Sequence, residues 1–214
     1  MATIYLQLET RFLKNLNERT IAKAEQEGGH QEWVNEEIKI VSFYVPEGAS
    51  YIDKTFDTLH WGRIFNTLVV KYRRGKDSVL LPSGKTTLKA GDKVYVVGDT
   101  HSLDNFKNIV DIPGDRKVRT LKEFMEIDYP DDESALSCVA IKVNGSEPYC
   151  NQTIANTEIL QKGKCLILGM QKNGFPILMP DVNMMIQKDD IIWVIGSNNN
   201  IGRMVALSTT NSND

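Results

Sequence analysis

The fold depends on the segment Ala90-Gly91-Asp92-Lys93-Val94-Tyr95-Val96-Val97-Gly98, a turn followed by a run of β-forming residues. Ninety-eight residues later the chain reads Asp190-Ile191-Ile192-Trp193-Val194-Ile195-Gly196, with the aspartate, the apolar run and the final glycine in the same places. Further identical pairs share this offset: Val41 and Val139, Thr55 and Thr153, Leu80 and Leu178, Pro82 and Pro180. Identities at turns together with apolar matches along strands indicate a tandem duplication.

Each copy contains the same order of short elements. In the first copy, β-forming residues over 38–45 precede a short helix over 52–59, and two further strands follow before the Gly-Asp turn. Two copies are too few for a solenoid. We therefore predict an α+β protein with two small tandem domains, over 36–100 and 134–207, each a mostly antiparallel sheet with short helices.

Three further segments surround the two copies. The first, 1–30, is predicted to form an amphipathic helix, because apolar residues recur there at a spacing of four. These residues are Ile4, Leu8, Phe12 and Leu16. The segment 101–133 is predicted to be a linker with short helices, and 208–214 a polar tail.

Composition excludes several classes of protein. The chain has 214 residues, 41% of them hydrophobic, and 25 Lys+Arg against 28 Asp+Glu give a net charge of −3. A general nucleic-acid binder would carry a basic stripe, so we expect no nucleic-acid partner. No apolar stretch reaches the roughly 18 residues of a spanning helix, and the N-terminus does not resemble a signal peptide. We interpret the chain as soluble and cytoplasmic.

No motif points to catalysis or to a metal. Ser83-Gly84-Lys85-Thr86 resembles the end of a phosphate-binding loop, but Val79 stands where that motif needs glycine. The three histidines stand near no acid or nucleophile at a catalytic spacing, and the three cysteines lack the spacing of a zinc site. A cluster of basic residues at 71–76 is interpreted as a solvated hairpin tip. We predict that the chain is not an enzyme and holds no metal or cofactor.

With the repeat in view, the first copy resembles the RCK-C domain, also called TrkA-C, a regulatory ligand-binding module of bacterial potassium channels and cation transporters. The resemblance runs from Gly48-Ala49-Ser50 through Lys54-Thr55-Phe56 and Arg73-Arg74-Gly75 to Ala90-Gly91-Asp92 and Gly98. The second copy is degenerate, since Gln171-Lys172-Asn173 replaces Arg-Arg-Gly and Asp189 stands where glycine is usual. The nucleotide-binding RCK-N half has no counterpart in the sequence.

The N-terminal segment carries a second resemblance. Glu9 to Arg19 is similar to the segment after the last membrane helix of Kef-type cation:proton antiporters. The resemblance implies the cytoplasmic regulatory region of a K⁺ or Na⁺:proton antiporter, at the inner face of the bacterial inner membrane. Its partners would be a membrane transport domain of the same polypeptide and a second copy, giving a homodimer. As an alternative to the homodimer, the two copies within one chain would pair with each other.

RCK-C domains commonly bind a small regulatory ligand at a dimer interface, in several cases cyclic di-AMP. The resemblance therefore implies cyclic di-AMP or another nucleotide as the ligand. We place its site at the turn after the first helix, where Arg63 would bind a phosphate and Asn66 would contact a base edge. Two other functions stay open: a ligand-free dimerisation or interaction module, and the cytoplasmic loop of an anion transporter.

Overall fold

A computed structural model describes residues 38–110, 112, 118–127, 136–159 and 163–210 of the chain. They form two compact units, one within Trp33–Ser134 and one within Ala135–Asp214. The predicted N-terminal helix over 1–30 lies outside the described residues. Within the described residues, no helix combines the length and the apolar character needed to cross a membrane.

The first unit is a five-stranded antiparallel sheet with short helices, in the strand order β3-β2-β4-β1-β5. Its strands are β1 (Lys39–Tyr44), β2 (Leu68–Arg74), β3 (Asp77–Leu80), β4 (Lys93–Gly98) and β5 (Val118–Thr120). Its helices are α1 (Phe56–Leu59), α2 (Trp61–Phe65), α3 (Thr100–Ile109) and α4 (Leu121–Ile127). Side-chain caps start three of them: Thr55 accepts a hydrogen bond from the backbone N–H of Thr58, Asp99 from that of Ser102, and Thr120 from that of Glu123.

The second unit is a four-stranded antiparallel sheet in the order β6-β9-β7-β8. Its elements are β6 (Leu136–Lys142), a 3₁₀ helix (Ile154–Asn156), β7 (Leu166–Lys172), β8 (Phe175–Leu178), β9 (Ile191–Ser197) and α5 (Asn198–Thr210). The α+β fold class and the two tandem domains predicted from the sequence are confirmed.

The duplication extends to backbone details that the sequence does not display. β2 carries a bulge between Val69 and Lys71, and β7 carries one 98 residues later, between Ile167 and Gly169. The left-handed backbone of Gly91 has its counterpart at the same offset in Asp189, with φ values of 81° and 71°. Asp189 thus adopts the conformation that glycine adopts in the first copy, which aspartate tolerates better than most side chains.

Each sheet buries one face in an apolar core, because side chains alternate between the two faces of a strand. In the first unit, Val41 and Phe43 of β1 pack with Trp61 of α2 and Phe106 of α3. In the second, strand residues pack with Ile201 and Met204 of α5. Both cores therefore lie between a sheet and the helices that cover it.

The segment predicted as a linker, 101–133, does more than connect two domains. Leu103 and Phe106 of α3 are buried in the first core, and β5 extends the first sheet by pairing with β1. The described part of this segment thus completes the first unit. The predicted limits of the domains at 36–100 and 134–207 stay predictions, and α5 runs to Thr210, into the predicted tail.

Candidate ligand-binding site

The two residues proposed for ligand binding lie on one short helix and its end. Arg63 is in α2 and Asn66 caps the C-terminus of that helix, and both side chains are exposed. Neither makes a hydrogen bond or ion pair within the described part of the chain. The structure thus brings a guanidinium and a carboxamide to the same exposed turn, with their donors and acceptors available to a ligand.

Buried neighbours fix the position of this turn. Trp61 and Phe65 are almost fully buried, and the ring of Trp61 meets that of Phe106 at 5.1 Å between centroids, edge to face. The hydroxyl of Thr67, also buried, donates a hydrogen bond to the carbonyl of Trp61 at 3.4 Å. Because Trp61 and Phe65 are buried on either side of Arg63, the helix α2 that carries it is fixed to the core.

Two features of the turn were missed from the sequence. Asn66 adopts a left-handed backbone with φ of 52°, which directs the chain from α2 into β2. Ile64, between the two predicted residues, is 63% exposed and adds an apolar surface beside the guanidinium. An exposed isoleucine next to arginine is compatible with a ligand that has both a charged group and an aromatic base.

The Arg-Arg-Gly motif has a structural role. Arg74 donates two hydrogen bonds to the buried carboxylate of Asp92, from Nε at 2.8 Å and from Nη2 at 2.7 Å, and Nη2 also donates to the carbonyl of Thr87. The backbone N–H of Lys89 donates to the same carboxylate at 2.8 Å. The hydrogen bond to Asp92 raises the pKa of the Arg74 guanidinium above its ordinary value. Arg74 therefore holds the Gly-Asp turn against β2.

This finding corrects the interpretation of residues 71–76 as a solvated hairpin tip. Lys71 is only 4% exposed, because the bulge at Val70 places it opposite Tyr95, with its ammonium 5.7 Å from the centroid of that ring. Arg74 is bound by Asp92. Arg73, Arg74 and Lys76 are exposed as expected, so the correction concerns the burial of Lys71 and the ion pair of Arg74.

The described residues contain no group of three or more His, Cys, Asp or Glu side chains placed to hold a metal ion. All three cysteines of the chain belong to the second unit, and none forms a disulfide. Burial raises the pKa of Cys138 and of Cys165 to about 12. Both thiols are therefore protonated at neutral pH, unlike the thiolates that act as nucleophiles or metal ligands.

The geometry defines a class of protein: two duplicated α+β domains, the first with an exposed cationic turn beside its core helices. The family model described as the TrkA-C domain matches residues 40–111 and 138–208, which is more than half of the chain. The chain belongs to the TrkA-C (RCK-C) domain family.

Solved structures with similar folds include several RCK domains. The RCK_C domain dimer of S. agalactiae BusR in complex with cyclic di-AMP is 16% identical, with a TM-score of 0.32 over 35% of this chain and 93% of that chain. The RCK C domain of the potassium transport protein KtrA with cyclic di-AMP is 23% identical, with a TM-score of 0.32 over 36% of this chain and 88% of that one. The GsuK RCK domain is 7% identical, with a TM-score of 0.37 over 81% of this chain and 64% of that one.

At these identities and TM-scores, the similarities identify neither a ligand nor a partner for this chain. No curated protein matches the sequence significantly.

Proposed function

We propose that the chain is the regulatory region of a monovalent cation (K⁺ or Na⁺):proton antiporter, in which a small ligand bound by the first domain controls transport. The observation that carries the proposal is the presence of two TrkA-C domains in one chain, over 40–111 and 138–208. The antiporter rests on the similarity of Glu9 to Arg19 to the segment that follows the membrane helices of Kef-type proteins.

The ligand site is the exposed turn formed by Arg63, Ile64 and Asn66. Its guanidinium offers a planar fork of donors to a phosphate, and its carboxamide offers a donor and an acceptor to a base edge. The anchoring of α2 by Trp61 and Phe65 supports this assignment, because the backbone that carries Arg63 need not be ordered when a ligand binds. Cyclic di-AMP is the first ligand to test, as the family resemblance implies.

Control of transport follows from differential affinity. A ligand that binds one arrangement of the domains more tightly shifts the attached transporter toward that state, and a coupling of about 1–3 kcal/mol changes the equilibrium 5- to 150-fold. In this proposal the membrane transport domain belongs to the same polypeptide, the chain pairs as a homodimer at the cytoplasmic face of the inner membrane, and nucleic acid is not a partner.

Isothermal titration calorimetry of the 214-residue chain with cyclic di-AMP tests the site. We expect saturable binding that Arg63→Ala weakens about tenfold or more, because a charge-assisted hydrogen bond to phosphate is lost. Asn66→Ala should weaken binding less. Arg203→Ala is the matched control, since it removes an exposed arginine from α5 of the second domain.

Absence of binding at high ligand concentration would contradict ligand control and favour an interaction module. Equal binding by the Arg63→Ala and Arg203→Ala variants would contradict the assignment of the site to α2. The antiporter is tested separately, by ion flux in vesicles that contain the full-length protein, with and without the ligand.

A further inference from the structure

We propose that the first domain also binds a small tetrahedral oxyanion, such as inorganic phosphate, in a pocket on the other face of its sheet. The pocket has a volume of about 90 Å³ and is lined by Ile40, Ser42, Lys93, Arg119 and Phe124. A single water needs about 10–15 Å³, whereas pockets for drug-sized ligands measure about 300–1,000 Å³. The pocket therefore suits an anion of a few atoms and is too small for a nucleotide.

The strand register places the pocket away from α2. Val41 of β1 packs in the core with the helices, so its neighbours Ile40 and Ser42 belong to the opposite face of the sheet. Arg119 of β5 lies opposite Ile40 on this second face, and Lys93 of β4 lies opposite Tyr44. The pocket and the turn that carries Arg63 are thus on opposite faces of one sheet, and binding at each can be tested separately.

The charges in the pocket are unbalanced. Lys93 and Arg119 both line it, and no acidic residue is among its described lining. The Nε of Arg119 is buried and has no hydrogen-bond partner in the described part of the chain. A buried donor without an acceptor costs free energy, so binding of an acceptor in the pocket next to Arg119 is favourable.

The second cation is held in place without being neutralised. The ammonium of Lys93 lies 5.3 Å from the ring centroid of Tyr44 and 5.4 Å from that of Tyr95. Aromatic rings attract a cation by their quadrupole and leave its full charge available. Lys93 forms no ion pair within the described residues, so its ammonium can bind an anion directly.

The three polar groups match the chemistry of phosphate. Arg119 provides directional guanidinium donors, Lys93 a compact ammonium, and Ser42 a hydroxyl with no hydrogen bond within the described residues. Donors from three different strands can contact three corners of a tetrahedral anion, whereas a flat carboxylate has only two oxygens. An anion held this way joins β4 to β5.

The second domain shows that the fold does not require these polar residues. At the 98-residue offset, Cys138, Ala140 and Ile191 occupy the positions of Ile40, Ser42 and Lys93. The described second sheet has four strands, without a strand equivalent to β5. The same sheet position is apolar in one copy and cationic in the other, so the pocket is a feature that the first domain has in addition to its fold.

Calorimetric titration of the full chain with inorganic phosphate, at constant ionic strength maintained with chloride, tests the proposal. We expect one saturable site with a Kd of about 1 mM or below. Arg119→Gln and Lys93→Met should each weaken phosphate binding about tenfold or more. Lys122→Gln, which removes an exposed lysine from α4, is the matched control and should bind phosphate normally.

Thermal unfolding of each variant shows whether it is folded, and Lys93→Met carries the test if Arg119→Gln does not fold. Slower amide hydrogen exchange in β5 on addition of phosphate would support a bridging anion. Absence of saturable binding up to about 20 mM phosphate, or binding that both pocket variants retain, would overturn the proposal. Equal affinity for acetate would overturn the preference for a tetrahedral anion.

Phosphate binding in the pocket should be independent of cyclic di-AMP binding at the turn that carries Arg63. Arg119→Gln should leave cyclic di-AMP binding unchanged, and Arg63→Ala should leave phosphate binding unchanged. Loss of both ligands in either single variant would overturn the assignment of two separate sites.

Discussion

The two domains hold the turn before their last strand with different contacts. In the first, Arg74 binds both oxygens of Asp92. In the second, Lys172 makes a single hydrogen bond to Asp190 at 3.1 Å and another to the carbonyl of Met185 at 3.1 Å. The substitution that made the second copy look degenerate therefore exchanges one cation for another at the same structural position.

The two apolar cores also place different side chains at equivalent positions. Trp61 and Phe106 of the first core have Ile159 and Met204 as counterparts 98 residues later, and both counterparts are buried in the second core. Aliphatic side chains thus fill the volume that an aromatic cluster fills in the first domain. The duplicated backbone thus tolerates a change of contacts, and the polar Ser42 and Lys93 of the first domain are replaced by the apolar Ala140 and Ile191 in the second.

We expect the largest difference in stability between the two domains to come from the aromatic core of the first. Trp61 contacts the rings of Phe43, Tyr51, Phe56 and Phe106. We expect Trp61→Ala to lower the free energy of unfolding of the first domain by about 3–5 kcal/mol and Ile159→Ala to lower that of the second by about 2–3 kcal/mol. Urea unfolding followed by hydrogen exchange, which resolves the two domains, measures both. A smaller effect for Trp61 than for Ile159 would contradict the central place given to the aromatic cluster.

The next largest difference in stability concerns the buried carboxylates before the last strand of each domain, Asp92 and Asp190. Asp92 is fully buried and accepts hydrogen bonds from Arg74 and from the backbone of Lys89. We expect Asp92→Ala to cost the first domain about 2–3 kcal/mol and Asp190→Ala to cost the second about 1–2 kcal/mol, since a lysine loses fewer bonds than a bidentate arginine.

Urea unfolding of both variants measures the two costs. As the converse test, Lys172→Arg should stabilise the second domain by about 0.5–1 kcal/mol. No gain from the arginine would show that the geometry of Asp190 does not permit a bidentate contact.

The smallest effect concerns the thiols, which are present only in the second domain. Burial raises the pKa of Cys165 from its ordinary 9.0 to about 12, so the folded domain favours the protonated thiol. The resulting contribution to stability is complete below pH 9.0 and is lost as the pH rises toward about 12. At pH 8, iodoacetamide should alkylate the partly exposed Cys150 well before the buried Cys165, as mass spectrometry can measure. Equal rates for the two thiols would show that Cys165 is accessible.

Local sequence patterns predicted the repeated architecture. A fixed offset relates turn residues and apolar strand positions, and such positions determine where strands begin, pair and end. Alternation and turn chemistry act over a few residues, so they are readable from one sequence. The degenerate turn at Asp189 kept its backbone because aspartate tolerates the left-handed conformation.

Contacts between distant segments were not predictable in this way. The apolar face of α3 is visible in the sequence, but periodicity does not say that it covers Phe43 and Trp61. Arg74 is exposed as predicted, but its ion pair was not foreseen because its partner Asp92 lies 18 positions away. The candidate ligand turn was predicted from a family resemblance, whereas the anion pocket combines side chains from β1, β4 and β5 that no motif connects.

The central claim, that the first domain is the ligand sensor and the second is not, is tested most directly by hydrogen–deuterium exchange of the full chain with and without cyclic di-AMP. We expect slower exchange in peptides that cover 60–66, and no such change in peptides of the second domain. Protection confined to the second domain, or no protection in either, would contradict the account.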